Sequence, residues 1–369
     1  MKILQIINSL ATGGAEKLLL DTLPLYHKAG IEMDILLFWD NNKPFTNALK
    51  ALNCCTIIIL NESENFKDIY SIKNIMKLKS FLIKYDVAHV HLFPAQYFTV
   101  LANGLNGNKT KLVFTEHSTS NRRIKNRFFR IVDAFFYKFY DKIIAINEEV
   151  KDALKIYHNL NNGKIVIINN GVDTFKFFNS NPLERSSIIE TISHNTKLLI
   201  QVSSFQNPKD QLTVINSLKI LPDNIKLILV GTGVLKDQIE AYTKMQNLQN
   251  RVFFLGQRMD VPQLLKSADI VILSSKYEGM SLSSIEGMAS GKPFIASNVK
   301  GLANIVKGAG VLFQQGNEKE LAAKILELLE NPILYNKVVE ACLERAILYD
   351  IQIMVKKHID LYNIIYNEK

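Results

Sequence analysis

The stretch Ser274-Ser275-Lys276-Tyr277-Glu278-Gly279-Met280-Ser281-Leu282-Ser283-Ser284-Ile285-Glu286-Gly287-Met288 carries two glutamates, Glu278 and Glu286, with Gly279 and three serines between them. It follows an apolar run, Ile270–Leu273, that reads as a strand, and it leads into a helix around Leu282–Ala289. Backbone amides near Met280, Ser281, Leu282 and Ser283 are then free at a helix start, where the aligned dipoles favour an anion such as a diphosphate. Glu286, one turn inside, can accept hydrogen bonds from two vicinal ribose hydroxyls. Glu278, on the loop, can reach a sugar hydroxyl. Either glutamate alone would also serve as an exposed cap; both in this setting point to a ligand.

Lys209 follows the strand-like run Leu198–Val202 through the loop Ser203–Pro208. A lysine opening a helix over Pro208–Leu221 opposes the helix dipole, and a bound phosphate would remove that conflict; an ordinary surface lysine remains open. Gly13 and Gly14 come soon after the first strand, Lys2–Ile7, and open a helix, so backbone amides can approach an anion there. A tight strand-to-helix turn would use the same glycines. Gly231 and Gly233 follow the strand Lys226–Val230 and read equally well as a plain turn. Glu116 and His117 stand at the end of the strand Leu112–Thr115, where a catalytic and a structural histidine are both reasonable. His89 and His91 share one face of the strand Val87–His91 by its period of two. No third ligand lies at suitable spacing, so they read as core or cleft lining and no metal is expected.

These residues sit on a strand–helix alternation that runs through the first half, including a helix over Asn65–Lys84. The alternation restarts at Leu198 after an Asn- and Ser-rich stretch. That rhythm means parallel sheets covered by helices on both faces. The expected architecture is α/β: two doubly wound, Rossmann-like domains facing a central cleft, with ligands at the carboxyl ends of the strands. The boundaries read as 1–170, a linker over 171–195, a second domain over 196–345, and a helical segment over 346–369 that returns to the first.

The chain has 369 residues, 47% apolar and 21% charged, which suits globular domains and excludes general disorder. Its longest apolar runs fall far short of a membrane span, and the N-terminus lacks the apolar stretch of a signal peptide. Three cysteines, Cys54, Cys55 and Cys342, show no metal or disulfide spacing, so a cytoplasmic location is expected. There is no P-loop, no Gly-x-Ser-x-Gly elbow and no Gly-x-Gly-x-x-Gly fingerprint. No two aspartates stand at i and i+2, so a paired-aspartate site for a metal–nucleotide complex is missing.

Net charge is +9, which favours anionic partners. Much of it gathers in Asn121–Lys142, where seven Lys or Arg face two Asp. Arg122, Arg123, Lys125, Arg127 and Arg130 lie here beside Phe128 and Phe129. A basic, aromatic helix suits shallow docking on an anionic membrane surface, although a buried aromatic stripe with a solvated basic face would look the same. No nucleic-acid recognition motif accompanies the charge, so nucleic acid is not expected as a partner.

Together these pieces resemble the family 4 retaining glycosyltransferases of the GT-B fold, in particular bacterial enzymes that build capsule, exopolysaccharide or lipopolysaccharide. The resemblance rests on Gly13-Gly14-Ala15-Glu16, Glu116-His117, Asn170-Gly171-Val172-Asp173, Lys209, Gly231-Thr232-Gly233, Phe254-Leu255-Gly256, Ser290-Gly291-Lys292-Pro293 and above all the Glu278-to-Glu286 motif. It implies a nucleotide-sugar donor of UDP or GDP type and a saccharide acceptor, lipid-linked, at the inner face of the cytoplasmic membrane. No cofactor is implied. Glu286 would hold the ribose, Lys209 the diphosphate and Glu278 the donor sugar, with Gly14 beside the diphosphate and His117 near the sugar. Where the family often has an arginine five residues before the lysine, this chain has Ser204; Arg258 or Lys276 would compensate. A sugar-nucleotide epimerase of similar architecture and a basic nucleic-acid-binding protein are the competing readings.

Overall fold

The computed structural model describes residues 1–11, 13–118, 126–158, 160–189, 192 and 195–368. The chain divides into two compact units, Met1–Gly171 with Ile351–Lys369, and Val172–Asp350.

The first unit is built on seven strands: β1 (Lys2–Ile7), β2 (Glu32–Leu37), β3 (Ile57–Ile59), β4 (Val87–His91), β5 (Lys111–Glu116), β6 (Lys142–Ala145) and β7 (Ile165–Ile167). They lie in the order β3-β2-β1-β4-β5-β6-β7. Every adjacent pair is parallel. Residues Ile3–Ile7 and Val87–His91 are buried along their whole length, as a sheet covered on both faces requires. Strand order reverses between β1 and β4, so successive crossovers leave in opposite directions there and open a crevice at the strands' carboxyl ends.

The second unit repeats the plan with β8 (Lys197–Val202), β9 (Ile225–Val230), β10 (Val252–Gly256), β11 (Ile270–Leu273), β12 (Phe294–Ser297) and β13 (Val311–Phe313). The order is β10-β9-β8-β11-β12-β13, again all parallel. Here the switch point falls between β8 and β11.

Three expectations need correction. The stretch 171–195 is no free linker: Phe177 and Ile189 are buried in the second unit's core, and the Arg185 guanidinium bonds the Ser267 and Thr196 carbonyls. The returning segment starts at Ile351, because the helix Pro332–Ile347 buries Cys342 and Ala346 in the second unit. Asn65–Lys84 is not one helix but a 3₁₀ turn, Phe66–Tyr70, capped by Asn65, followed by a helix over Lys73–Leu82. Ser71 takes extended backbone and separates them.

Candidate functional site

In the second unit the loops that leave β8 and β11 are stitched together at the switch point. Lys209 forms an isolated antiparallel bridge with Ser275. The Lys276 amide donates to the Pro208 carbonyl at 2.9 Å, and the Asp210 amide to that of Ser274 at 3.0 Å. The helix here opens at Gln211, not Pro208. Asp210 is its cap, bonding the Thr213 amide and hydroxyl, and Lys209 stands outside the first turn. The conflict with the helix dipole expected of Lys209 is therefore absent.

The Lys209 ammonium is instead paired with the Glu278 carboxylate, whose same oxygen accepts from the Ser275 hydroxyl at 2.6 Å. The two side chains are only 14% and 10% exposed, so water screens the pair little. The sequence motif thus brings Lys209 and Glu278 together across 69 residues. An ammonium has three N–H donors, and Glu278 takes one. The other two find no acceptor among the described residues.

Beside this pair the helix Leu282–Ala289 begins at Ser281. The amides of Leu282 and Ser283 find no acceptor among the described residues, the usual state of a helix's first turn. Gly279 and Met280 lead into it, and Ser281 and Ser283 share a hydroxyl contact of 3.0 Å. Glu286 sits one turn in, 6% exposed. The helix is held against the sheet through Gly287, where a Cβ would lie 2.6 Å from the Phe294 ring.

Gly231 and Gly233 have a packing reason. Their φ values of 141° and 155° favour glycine, and a Cβ on either would run into the backbone of Ser203 or Phe205. They let the loop after β9 lie against the Ser203–Phe205 loop and so place Ser204. Sequence reasoning missed Gly301. At φ 90° it lets its turn abut the Glu278 and Gly279 carbonyls, where a Cβ would collide. Its one signal was an isolated glycine after Val299-Lys300. Arg258 is held by Asp260 through bonds of 2.8 and 2.5 Å, which raises the guanidinium's pKa and lowers that of the carboxyl. Lys276 is exposed.

In the first unit Gly13 caps the helix Gly14–Lys28. The space a Gly13 side chain would need is filled by the Glu16 carboxylate, whose pKa burial raises. The helix's positive end is thus already met by an acid of its own first turn. His117 follows β5, and its Nε2 lies 3.0 Å from Nδ1 of His91. Burial pushes its pKa down to about 4. His89 and His91 are buried and face one side of β4 with ring centroids 4.3 Å apart. Among the described residues no three metal-ligating side chains converge.

Of the basic segment, Arg122, Arg123 and Lys125 lie outside the described residues. Arg127, Phe128, Phe129 and Arg130 open the helix Arg127–Tyr137. Phe128, Phe129, Ile131 and Phe135 are exposed, whereas Tyr137 and Tyr140 are buried against Phe114. The aromatics therefore divide between an outward face and the core. No described helix is long and apolar enough to cross a membrane.

Residues 12–176 match the family described as Glycosyltransferase Family 4, and residues 184–345 the family described as Glycosyl transferases group 1. The chain is 27% identical over 292 residues to the Escherichia coli UDP-Gal:alpha-D-GlcNAc-diphosphoundecaprenol alpha-1,3-galactosyltransferase, covering 75% of this chain and 74% of that protein. It is 25% identical over 363 residues to the N-acetylgalactosamine-N,N'-diacetylbacillosaminyl-diphospho-undecaprenol 4-alpha-N-acetylgalactosaminyltransferase of Campylobacter jejuni, covering 93% and 94%. Its fold is similar to that of Anabaena HepE in complex with UDP-glucose, with a TM-score of 0.84 at 22% identity over 98% of this chain and 99% of that one.

Proposed function

From the premise that this chain belongs to the family 4, group 1 glycosyltransferases, we propose that it moves a sugar from a UDP-sugar to a saccharide carried on a lipid diphosphate, with retention of configuration and without a metal. The observation that carries the reading is the Lys209–Glu278 pair at the β8/β11 switch point, next to the opening amides of the helix that holds Glu286. A ribose binds Glu286, whose buried carboxylate suits two vicinal hydroxyls. The diphosphate takes the two remaining Lys209 donors and the Leu282 and Ser283 amides. Glu278 holds a hydroxyl of the donor sugar while it keeps Lys209 in place.

Chemistry follows from where charge develops. As the bond from the anomeric carbon to the diphosphate breaks, negative charge grows on the phosphate oxygens. Lys209 and the helix amides are already fixed beside them and need no reorganisation. The acceptor hydroxyl forms its bond to the anomeric carbon on the face the diphosphate leaves, and its proton passes to the departing phosphate oxygen. For the first unit, Gly13 and Gly14 toward the diphosphate and His117 toward the donor sugar are what the family resemblance implies. Both relatives named above carry a diphospho-undecaprenol saccharide in their names, which supports a lipid-linked acceptor. The exposed Phe128, Phe129 and Ile131 beside Arg127 and Arg130 support shallow docking on the anionic inner face of the cytoplasmic membrane. Arg258 joins donor binding only if it leaves Asp260.

The test is to incubate the full chain with UDP-sugars, and in parallel GDP-sugars, plus an undecaprenyl-diphosphate saccharide. A lipid-linked product heavier by one sugar is expected. Donor converted to its epimer, with the acceptor unchanged, would overturn the reading.

A further inference from the structure

A chain of hydrogen bonds runs from His117 through the first unit's core to the C-terminal helix Ile351–Asn367. His117 Nε2 meets His91 Nδ1 at 3.0 Å, and His91 Nε2 meets Gln5 Oε1 at 2.9 Å. The Gln5 amide nitrogen donates to the Tyr362 hydroxyl at 3.2 Å and to the Met33 sulfur at 3.4 Å. The Tyr362 hydroxyl also bonds His89 Nδ1 at 2.6 Å, and His89 Nε2 bonds the Thr115 hydroxyl at 2.6 Å. Gln5, His89, His91 and Tyr362 are all at most 3% exposed.

Donor counting assigns the protons. The Gln5 nitrogen faces Tyr362 and a thioether, which can only accept, so its carbonyl faces His91. That carbonyl has no proton to give. His91 must therefore carry its proton on Nε2, and its Nδ1 is an acceptor. The ring atom against that acceptor, His117 Nε2, must in turn be protonated. Burial keeps His117 neutral near pH 7, and burial with the neighbouring His117 and His358 rings keeps His91 so. The one ring atom of His117 without a partner among the described residues is then Nδ1, bearing a lone pair.

We propose that His91 is a positioning residue which, backed by Gln5 and Tyr362, locks His117 as its Nε2–H tautomer and so presents Nδ1 as a hydrogen-bond acceptor for a donor-sugar hydroxyl. This rests on the reading of His117 as a sugar contact for its use, though not for the tautomer itself. His117 then selects a hydroxyl that can donate. A sugar carrying hydrogen or an ether at that position leaves Nδ1 unanswered. The same wiring makes the ring's orientation depend on the last helix, 245 residues further along the chain at Tyr362.

The experiment is a long-range proton–nitrogen NMR spectrum of the full chain with ¹⁵N-labelled histidine rings, His117 being assigned by its loss in His117→Gln. At pH 7.5 the wild type is expected to show His117 neutral with the proton on Nε2. His91→Phe, which has no acceptor, should turn this into a mixture of tautomers. His91→Gln, whose carbonyl can accept, should restore it. With UDP-sugar and acceptor, His91→Phe should lower kcat roughly tenfold, the worth of about one neutral hydrogen bond, and His91→Gln should recover most of it. A wild-type His117 protonated on Nδ1, or one already charged at pH 7.5, overturns the proposal whatever the enzyme's activity. A locked Nε2–H tautomer with activity indifferent to His91→Phe would leave the wiring standing and remove His117 from the sugar site.

Discussion

Acid should unfold the first unit before the second, because the first buries a cluster of neutral histidines. His117 is pushed down to about 4 and His358 to about 3, in both cases chiefly by burial. His89 and His91 lie well below the ordinary value for the same reason, with the neighbouring histidine rings adding to it. In the unfolded chain each would titrate near 6.5. Between 6.5 and the folded value the unfolded chain binds protons that the fold refuses, so stability is intact above 6.5 and falls as pH drops. Each such histidine costs about 1.4 kcal/mol per pH unit over that window. From pH 6.5 to 5.0 that is about 2 kcal/mol apiece, or about 4 from His117 and His358 together, and His89 and His91 act in the same direction. A domain's whole stability is about 5–15 kcal/mol. Trp39, the chain's single tryptophan, is buried in the first unit with its indole N–H on the Ser63 carbonyl at 2.8 Å, and so reports that unit alone. Its fluorescence in urea titrations at pH 7.5, 6.5, 5.5 and 5.0 should give a midpoint that falls steeply below 6.5. His358→Gln should flatten the slope. The second unit's one histidine, His194, lies outside the described residues, and circular dichroism should show a part of the signal that persists to lower pH. A Trp39 midpoint that stays level from pH 7.5 to 5.0 refutes the reasoning.

Glu286→Gln should keep the fold and weaken donor binding ten- to a hundredfold, since a hydrogen bond to a charged group is worth about 1.5–3 kcal/mol; calorimetry with the UDP-sugar checks this, and unchanged affinity would remove Glu286 from the ribose site. Lys209→Ala should lower kcat with UDP-sugar and leave Glu278 buried without its cation, so Lys209→Ala/Glu278→Gln should be more stable to urea than Lys209→Ala alone; the reverse order would show that the pair is not coupled. Replacing Arg122, Arg123, Lys125 and Arg127 with Ser should weaken sedimentation with anionic vesicles and make what remains less sensitive to salt, while sparing turnover of a short water-soluble acceptor. Undiminished binding would remove these residues from membrane contact. Gly301→Ala should reduce transfer by displacing the Glu278–Gly279 loop, read as a lower kcat in a variant whose far-UV spectrum is unchanged.

The parts of the fold that rest on local pattern were legible in the sequence. The strands β1, β8 and β11 are mainly apolar runs with polar or turn residues after them, and the alternation of such runs with helices implied parallel sheets. Short or capped elements were harder. Val311–Phe313 is three residues long among Gly308, Gly310 and Gly316, too short to show a strand's period, yet it pairs on the edge beside β12. Asp210 sets the helix start at Gln211 by accepting from the Thr213 amide, which a reading from Pro208 could not anticipate. The glutamate motif was visible because its spacing is contiguous in the chain. Its partner Lys209 could be named but not placed against Glu278, since their pairing needs the β8–β11 neighbourhood. The relay behind His117 was invisible for the same reason in stronger form: Gln5 and Tyr362 are 357 residues apart, and no local pattern marks either one.

The most direct test of the central claim is the anomeric configuration of the product formed from a UDP-sugar and an undecaprenyl-diphosphate saccharide in the presence of EDTA. The account predicts undiminished turnover, with the anomeric proton of the transferred sugar showing the configuration it had in the donor. An inverted anomer, or turnover that stops in EDTA and returns with a divalent cation, would contradict it.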